Sequence, residues 1–150
     1  GYPWLSQYWV RQVKEKTFGS TATDDGYGHH DEDQGQMGAI SALMGIGLFE
    51  VTGGGLQRPV YDITSPVFDE VTIDLNQDYY EGDEFRIVTH DNSADNMYIQ
   101  DAELDGEELD NAWFHQDQYA DGGTLELWMG PEPTRTGEPR TLPFSESESA

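Results

Sequence analysis

Three consecutive acidic residues, Asp31, Glu32 and Asp33, lie just before a run of small and apolar residues that begins near Gln36. In an extended or turn-like segment alternate side chains share a side, so Asp31 and Asp33 point the same way and Glu32 points away. We expect Asp33 to be the N-cap of a helix, where free backbone N–H groups and the helix dipole favour its ionised form. A second carboxylate nearby opposes ionisation, and a pair of this kind is suited to act as a general base.

Two other interpretations of the acidic run stay open at this point. Helix capping alone explains an acidic residue before a helix, and spacing does not separate capping from catalysis. Oxygen ligands are dense enough to suggest calcium, but an EF-hand loop that starts at Asp31 needs Glu at its twelfth position, which is Ala42. Zinc is not supported by His29 and His30, because adjacent residues on an extended chain point apart. We interpret all four histidines of the chain as loop or strand residues.

Two predicted helices flank the acidic run. Residues 4–17 place apolar and aromatic side chains at helical spacing. A second helix is predicted from about Gln34 to Phe49, with apolar residues around nearly its whole circumference, which is typical of a helix buried on most sides. Its glycines are unfavourable in a helix and indicate that a neighbouring element approaches closely. Residues 19–30 are predicted to be a loop.

The second half of the chain changes from helical to alternating periodicity, which predicts strands. Apolar and polar side chains alternate, so each strand has one buried face and one solvated face, as in an antiparallel sheet. We therefore predict an α+β fold in which two helices precede an antiparallel, sandwich-like β region. Six strands are expected, at residues 59–64, 70–75, 84–90, 96–104, 111–116 and 123–130. Residues 132–150 lack periodicity and are predicted to form a disordered acidic tail.

The composition is strongly acidic, with 30 acidic and 7 basic residues and a formal net charge of −23. Charge repulsion makes nucleic acid and anionic membrane surfaces poor partners, and no apolar stretch is long enough to span a bilayer. Because 35% of the residues are hydrophobic and 12% aromatic, the chain has the core formers that disordered acidic chains lack. We interpret the charge as a salt-adapted, halophilic surface. The absence of cysteine excludes disulfides and thiolate metal sites.

Two helices and a β region do not make a convincing independent enzyme. The helices would leave most of their apolar circumference exposed unless other helices covered them. We therefore expect residues 1–150 to be the end of a larger protein.

Ordered blocks along the chain carry a family resemblance. They read GYPWLSQYWVRQV, DEDQGQMGA with GLFEVTGG, YDITSPVFDEVTIDL, DNSADNMYIQDAELDG and WFHQDQYADGGTLELWMGPEP. Over residues 1–133 the chain resembles the C-terminal part of glycoside hydrolase family 92, the calcium-dependent, exo-acting α-mannosidases. The resemblance implies an N-terminal β-sandwich, a catalytic (α/α)₆ barrel and further strands at the end of the chain. It implies that residues 1–51 are the last helices of the barrel and residues 52–131 the C-terminal β region.

The resemblance also implies roles for single residues. The family's acidic motif supplies the carboxylates of the general base and matches Asp31 and Asp33, with Gly35 and Gln36 completing it, so Gln36 is a candidate substrate-binding residue. Trp4 matches the family's Pro-Trp block and is a second candidate for the sugar site, although an aromatic residue at helical spacing is more often core. The acid glutamate and the calcium ligands are expected upstream, so no metal ligand is assigned in this chain.

The function implied by the resemblance is that of an inverting exo-α-mannosidase that removes terminal mannose from glycans. The chain alone is expected to be inactive, because it needs the rest of the barrel, the N-terminal β-sandwich and calcium. An extracellular or periplasmic location is expected, or a cytoplasmic one in a halophile. His29 and His30 stand where the family often has glycine, which leaves subsite preference open. The alternative functions are a non-catalytic carbohydrate-binding or structural β-module and a family relative that has lost activity.

Overall fold

The structure, a computed structural model, describes residues 1–18, 34–50 and 54–134. Its helices are α1 (Pro3–Lys16), α2 (Gln36–Ile46) and α3 (Gln116–Ala120). Its strands are β1 (Leu48–Phe49), β2 (Val60–Ile63), β3 (Glu70–Asp74), β4 (Glu84–His90), β5 (Tyr98–Leu104), β6 (Glu107–Glu108), β7 (Trp113–His115) and β8 (Gly123–Gly130). The α+β class is therefore confirmed. Within the described ranges no helix is both long and apolar enough to cross a membrane.

Helix α1 confirms the first predicted helix to within a residue at each end. It begins at Pro3, whose fixed φ suits the first turn and whose missing N–H has no intrahelical partner there. Lys14 and Lys16 lie in its last turn, where positive charge interacts favourably with the helix dipole.

Helix α2 is shorter than predicted at both ends. Gln34 and Gly35 have φ values of 56° and 85°, in the left-handed region, so the helix starts only after them and Gly35 occupies the N-cap. The prediction that Asp33 is the N-cap is therefore wrong. At the other end Gly47, with a φ of 81°, stops the helix. The predicted extension to Phe49 is also wrong, because that residue lies in β1 and pairs with β2.

The strands form two sheets, and the prediction of a wholly antiparallel β region is wrong. The three-stranded sheet has the order β1-β2-β7 and the five-stranded sheet the order β3-β4-β8-β5-β6. In the larger sheet β4 and β8 run parallel, with Ile87 opposite Leu125. Alternating periodicity reports which face of a strand is buried, but not the direction of its neighbour. The short strands β1 and β6 and the helix α3 were not predicted.

The core contains side chains from both sheets. Phe85 and Leu125 of the five-stranded sheet are fully buried, and Phe85 stacks on Phe114 of the other sheet with ring centroids 5.7 Å apart. Tyr61 and Tyr119 extend this aromatic cluster. Because burial of one such large apolar side chain contributes about 1.5–3 kcal/mol, these contacts hold the two sheets together.

Candidate functional site

The two predicted catalytic residues, Asp31 and Asp33, lie outside the described residues, so their arrangement stays a prediction. Asp33 is joined by one peptide bond to the left-handed turn at Gln34 and Gly35. The first intrahelical hydrogen bond of α2 runs from the Ala39 N–H to the Gly35 carbonyl oxygen, at 3.1 Å. The acidic run is thus separated from the helix by a turn of two residues.

The two predicted substrate-binding residues lie at the beginnings of neighbouring helices. Gln36 is the first residue of α2, and its side chain is exposed. Trp4 lies in the first turn of α1, is partly buried and meets the ring of Tyr2 edge-on with centroids 6.3 Å apart. The helices α1 and α2 contact each other. A role for either residue in binding sugar stays a prediction.

The two sides of α1 differ in an unexpected way. The buried side carries the polar residues Gln7 and Arg11, each only 3% exposed, whereas Trp9 is 59% exposed and Tyr2 is 69% exposed. Large aromatic side chains are usually buried in a core or an interface. Helix α1 therefore buries two polar side chains against the β region, whereas Trp9, and Tyr2 just before the helix, stay accessible.

Arg11 connects α1 to two loops of the β region. Its Nε donates a hydrogen bond to Ser65 Oγ at 3.1 Å, and its Nη2 donates to the carbonyl oxygen of Pro66, both in the β2–β3 loop. The same Nη2 donates to Asn92 Oδ1, in the β4–β5 loop, at 2.6 Å. One guanidinium group therefore holds together three segments that are distant in sequence.

The charge of Arg11 is buried with little ionic compensation. Burial lowers the pKa of Arg11, and Glu15, whose Oε1 lies 3.4 Å from Nη1, acts in the opposite direction. Its hydrogen bonds to the two loops are accepted by uncharged oxygens of Ser65, Pro66 and Asn92. Arginine stays protonated, so these oxygens must offset much of the desolvation cost, and they can do so only in a directional geometry.

Gln7 makes a second polar contact, one helical turn before Arg11. Its Oε1 accepts a hydrogen bond from the Ile99 N–H at 3.0 Å. This N–H lies at the bulge of β5 between Ile99 and Asp101, where the strand ladder is interrupted. Gln7 therefore supplies a partner to a backbone group at the bulge.

The β2–β3 loop also holds the C-terminal end of α2. The N–H groups of Thr64 and Val67 donate to the carbonyl oxygens of Gly47 and Gly45, at 2.7 and 3.0 Å. The ring of Pro66 lies so close to Gly47 that a Cβ added to the glycine would be 2.6 Å from Pro66 Cγ. Both helices and the β region thus meet at this loop.

Gln7 and Arg11 were not singled out from the sequence. Their spacing of one helical turn places Gln7 and Arg11 on the same side of the helix. That pattern is ambiguous, since a polar stripe normally indicates a solvated face. Only the contacts of the loops show that the polar side is the buried one.

The histidines within the described residues are strand residues, as predicted. His90 ends β4, stacks on Trp128 with centroids 4.8 Å apart, and has its Nε2 2.8 Å from Glu126 Oε2. His115 ends β7 and is the residue before α3. The contacts of His90 with Trp128 and Glu126 lie on the partly exposed face of the five-stranded sheet, whereas His115 belongs to the three-stranded sheet.

The described residues do not form a calcium site. Within residues 1–18, 34–50 and 54–134, no three carboxylate or histidine side chains lie close enough together to hold a metal ion. His29 and His30 are outside these ranges. The calcium implied by the resemblance would therefore need ligands from elsewhere.

Comparison with known proteins gives a family match over most of the chain. The model of the glycosyl hydrolase family 92 catalytic domain matches residues 1–131. A protein of Arthroderma benhamiae named as an uncharacterized secreted glycosidase is 34% identical over 107 residues, which make up 71% of this chain and 13% of that protein.

Solved structures show the same similarity. A family 92 inverting mannosidase from Bacteroides thetaiotaomicron is 36% identical, with a TM-score of 0.81, over 98% of this chain and 19% of that chain. A family 92 α-mannosidase from the same organism, solved also in complex with mannoimidazole, has a TM-score of 0.75 over 88% of this chain and 16% of its own. Its identity is 23%, so it shows the fold alone. This chain spans about a fifth or less of the length of these relatives.

Proposed function

Because this chain belongs to glycosyl hydrolase family 92, a family of α-mannosidases, we propose that it supplies the general base of an inverting exo-α-mannosidase. The match over residues 1–131, which includes the acidic run, carries this proposal. The substrate class is a glycan with terminal α-mannose. The acid glutamate and the calcium ligands are proposed to come from sequence outside residues 1–150.

The start of α2 supports a general base at Asp33. The first turn of α2 contains no acidic residue, and its N-cap, Gly35, has no side chain that could accept from the free N–H groups. These groups give the N-terminus a partial positive charge. Such a charge favours the ionised form of a nearby carboxylate, which is the form that accepts a proton.

In the proposed reaction a water molecule attacks the anomeric carbon of the terminal mannose from the face opposite the leaving group. Asp33, assisted by Asp31, accepts a proton from this water. The glycosidic C–O bond breaks at the same time, and the leaving oxygen takes a proton from the acid glutamate. The configuration inverts because the new bond forms on the opposite face, and the water needs the two carboxyl groups about 6.5–9.5 Å apart.

Gln36 and Trp4 are proposed to bind the sugar. The exposed amide of Gln36, directly after the turn, has the donors and acceptors that hydroxyl groups need. An aromatic ring such as that of Trp4 offers an apolar face and a polar N–H, which together suit the C–H surface and the hydroxyl groups of a pyranose. Both residues sit at the starts of contacting helices.

The exposed aromatic side of α1 supports a barrel completed by other helices. The exposed residues Tyr2, Leu5 and Trp9 follow helical spacing and so share one side, and a contiguous exposed apolar patch is typical of an interface. We propose that residues 1–51 are helices of that barrel and residues 52–131 the β region attached to it, with the N-terminal β-sandwich as a further partner. The name of the Arthroderma benhamiae relative supports a secreted location.

The decisive experiment uses the full-length protein with Asp33→Asn, which keeps the size of the side chain and removes its basicity. We expect turnover of an aryl α-mannoside to fall by about 10²–10⁴-fold, the usual contribution of a general base. The circular dichroism spectrum should not change. Asp95→Asn, at an exposed aspartate in the β4–β5 loop, is the matched control and should keep full activity. Wild-type turnover in both Asp33→Asn and Asp31→Asn would refute a catalytic role of the acidic run.

A further inference from the structure

The interface between α1 and the β region contains directional polar contacts from the two buried side chains of the helix. Gln7 and Arg11 are the buried residues of α1, and each reaches the β region by hydrogen bonds. Apolar contacts between a helix and a sheet tolerate small shifts, because the hydrophobic effect has no direction. Hydrogen bonds weaken steeply when their angles change. The position of α1 is therefore specified more sharply than an apolar interface would specify it.

Arg11 is the centre of this interface. The guanidinium group is planar and presents its donors in a fixed fork, so three acceptors can be satisfied together only in one arrangement. Asn92 adds a link between the two loops, because its Nδ2 also donates to the carbonyl oxygens of Pro66 and Phe68, at 3.4 and 3.3 Å. The β2–β3 loop is therefore held by both α1 and the β4–β5 loop.

The loop that Arg11 holds is the one that fixes the end of α2. Backbone hydrogen bonds from Thr64 and Val67 and the close packing of Pro66 on Gly47 leave that end little freedom. Helix α2 has 11 residues, so at 1.5 Å per residue its two ends are about 16 Å apart. Any tilt of the helix at its held end therefore displaces its beginning, where the turn at Gln34 and Gly35 connects it to Asp33.

We propose that Arg11 is a positioning residue for the general base, acting through the β2–β3 loop and the body of α2. The inference rests on the proposed function of the acidic run. Displacement of a catalytic group by about 1 Å can reduce a rate about 10²-fold. Loss of the Arg11 fork would release the β2–β3 loop that holds the end of α2. We expect the resulting displacement to be largest at the start of the helix, which is the end next to the acidic run.

The test compares Arg11→Lys with Lys16→Met in the full-length protein. Arg11→Lys keeps the charge and removes the fork, and we expect kcat for an aryl α-mannoside to fall at least about 10-fold with KM changed less than about 2-fold. Lys16→Met, at an exposed residue of the same helix, should keep wild-type kcat. Wild-type kcat in folded Arg11→Lys would overturn the proposal.

A double variant separates positioning from simple destabilisation. If Arg11 acts through the base, adding Arg11→Lys to Asp33→Asn should lower kcat no further, because the group that it positions is already inactive. An equal fall in both backgrounds would overturn the positioning role. High activity of Asp33→Asn alone would instead refute the proposed function. Should Arg11→Lys fail to fold, Ser65→Ala removes a single acceptor of Arg11. Asn92→Ala removes another acceptor together with the hydrogen bonds from Asn92 Nδ2 to Pro66 and Phe68. Each is expected to lower kcat by a smaller factor than Arg11→Lys, and wild-type kcat in both would equally overturn the proposal.

Discussion

Replacement of Gly47 by alanine tests the contact between α2 and the β2–β3 loop. Gly47 has a φ of 81°, and an L residue in the left-handed region costs about 1–2 kcal/mol. The new Cβ would also lie 2.6 Å from Pro66 Cγ and 2.8 Å from Pro66 Cδ. Relief of such an overlap by local shifts typically costs a further 1–3 kcal/mol or so. We therefore expect Gly47→Ala to lower the stability of this part of the structure by about 2–5 kcal/mol.

A matched control isolates the packing part of this loss. Gly106 has a similar φ of 78°, but no atom lies within 4 Å of an added Cβ. Gly106→Ala should therefore lower the local stability only by the cost of the left-handed backbone, about 1–2 kcal/mol. The difference between the two variants measures the contact with Pro66.

Amide hydrogen exchange of the full-length protein reports the loss locally, because it measures the opening free energy of individual segments. The reporters for Gly47→Ala are the N–H groups of Thr64 and Val67, which donate to the end of α2. Each 1.4 kcal/mol or so corresponds to tenfold faster exchange. The reporter for Gly106→Ala is the Leu109 N–H, which donates to Ala102.

Pro66→Ala provides the second arm, since it removes the two ring atoms nearest the added Cβ. The loss of protection in the double variant should be smaller than the sum of the two single losses, which would show coupling between the two sites. Equal losses in Gly47→Ala and Gly106→Ala, with no coupling to Pro66→Ala, would refute the reasoning that this loop fixes the end of α2.

Two further predictions concern the β region of the full-length protein. Burial, and to a smaller extent repulsion by the negative charge of Glu50, raise the pKa of Asp62 above its ordinary 3.8. The carboxyl group of Asp62 therefore binds a proton more tightly in the native state than in the unfolded state. The free energy of unfolding therefore falls as pH rises from about the ordinary pKa of Asp62 through the raised one. Asp62→Asn should remove this pH dependence and raise the melting temperature at neutral pH. A variant whose stability changes with pH as in the wild type would contradict this prediction. Phe85→Ala should lower the free energy of unfolding of the β region, measured with denaturant, by about 3–5 kcal/mol. Tyr79→Ala, at a residue that is 83% exposed, should lower it by less than about 0.5 kcal/mol. Similar losses in the two variants would place Phe85 outside the core.

Some residues of the candidate site could be predicted from the sequence, and others became apparent only from the tertiary structure. The acidic run, Gln36 and Trp4 were singled out from residue types and ordered blocks. The family match over residues 1–131 shows the family, and the roles of these residues stay predictions. Arg11, the proposed positioning residue, was not singled out from the sequence. Its partners Ser65 and Asn92 lie 54 and 81 residues away in sequence, and a single chain carries no local sign of such a contact.

The sequence by itself determined the α+β class and the best-defined strands. Residues 84–90 and 123–130 were predicted to the residue, because alternation of apolar and polar side chains is a local property of a half-buried strand. Only the tertiary structure decided that β4 and β8 run parallel, that α2 starts after a left-handed turn, and that the polar side of α1 is the buried one. Periodicity specifies which side chains share a face, whereas strand direction and the burial of a charge depend on contacts between segments far apart in the chain.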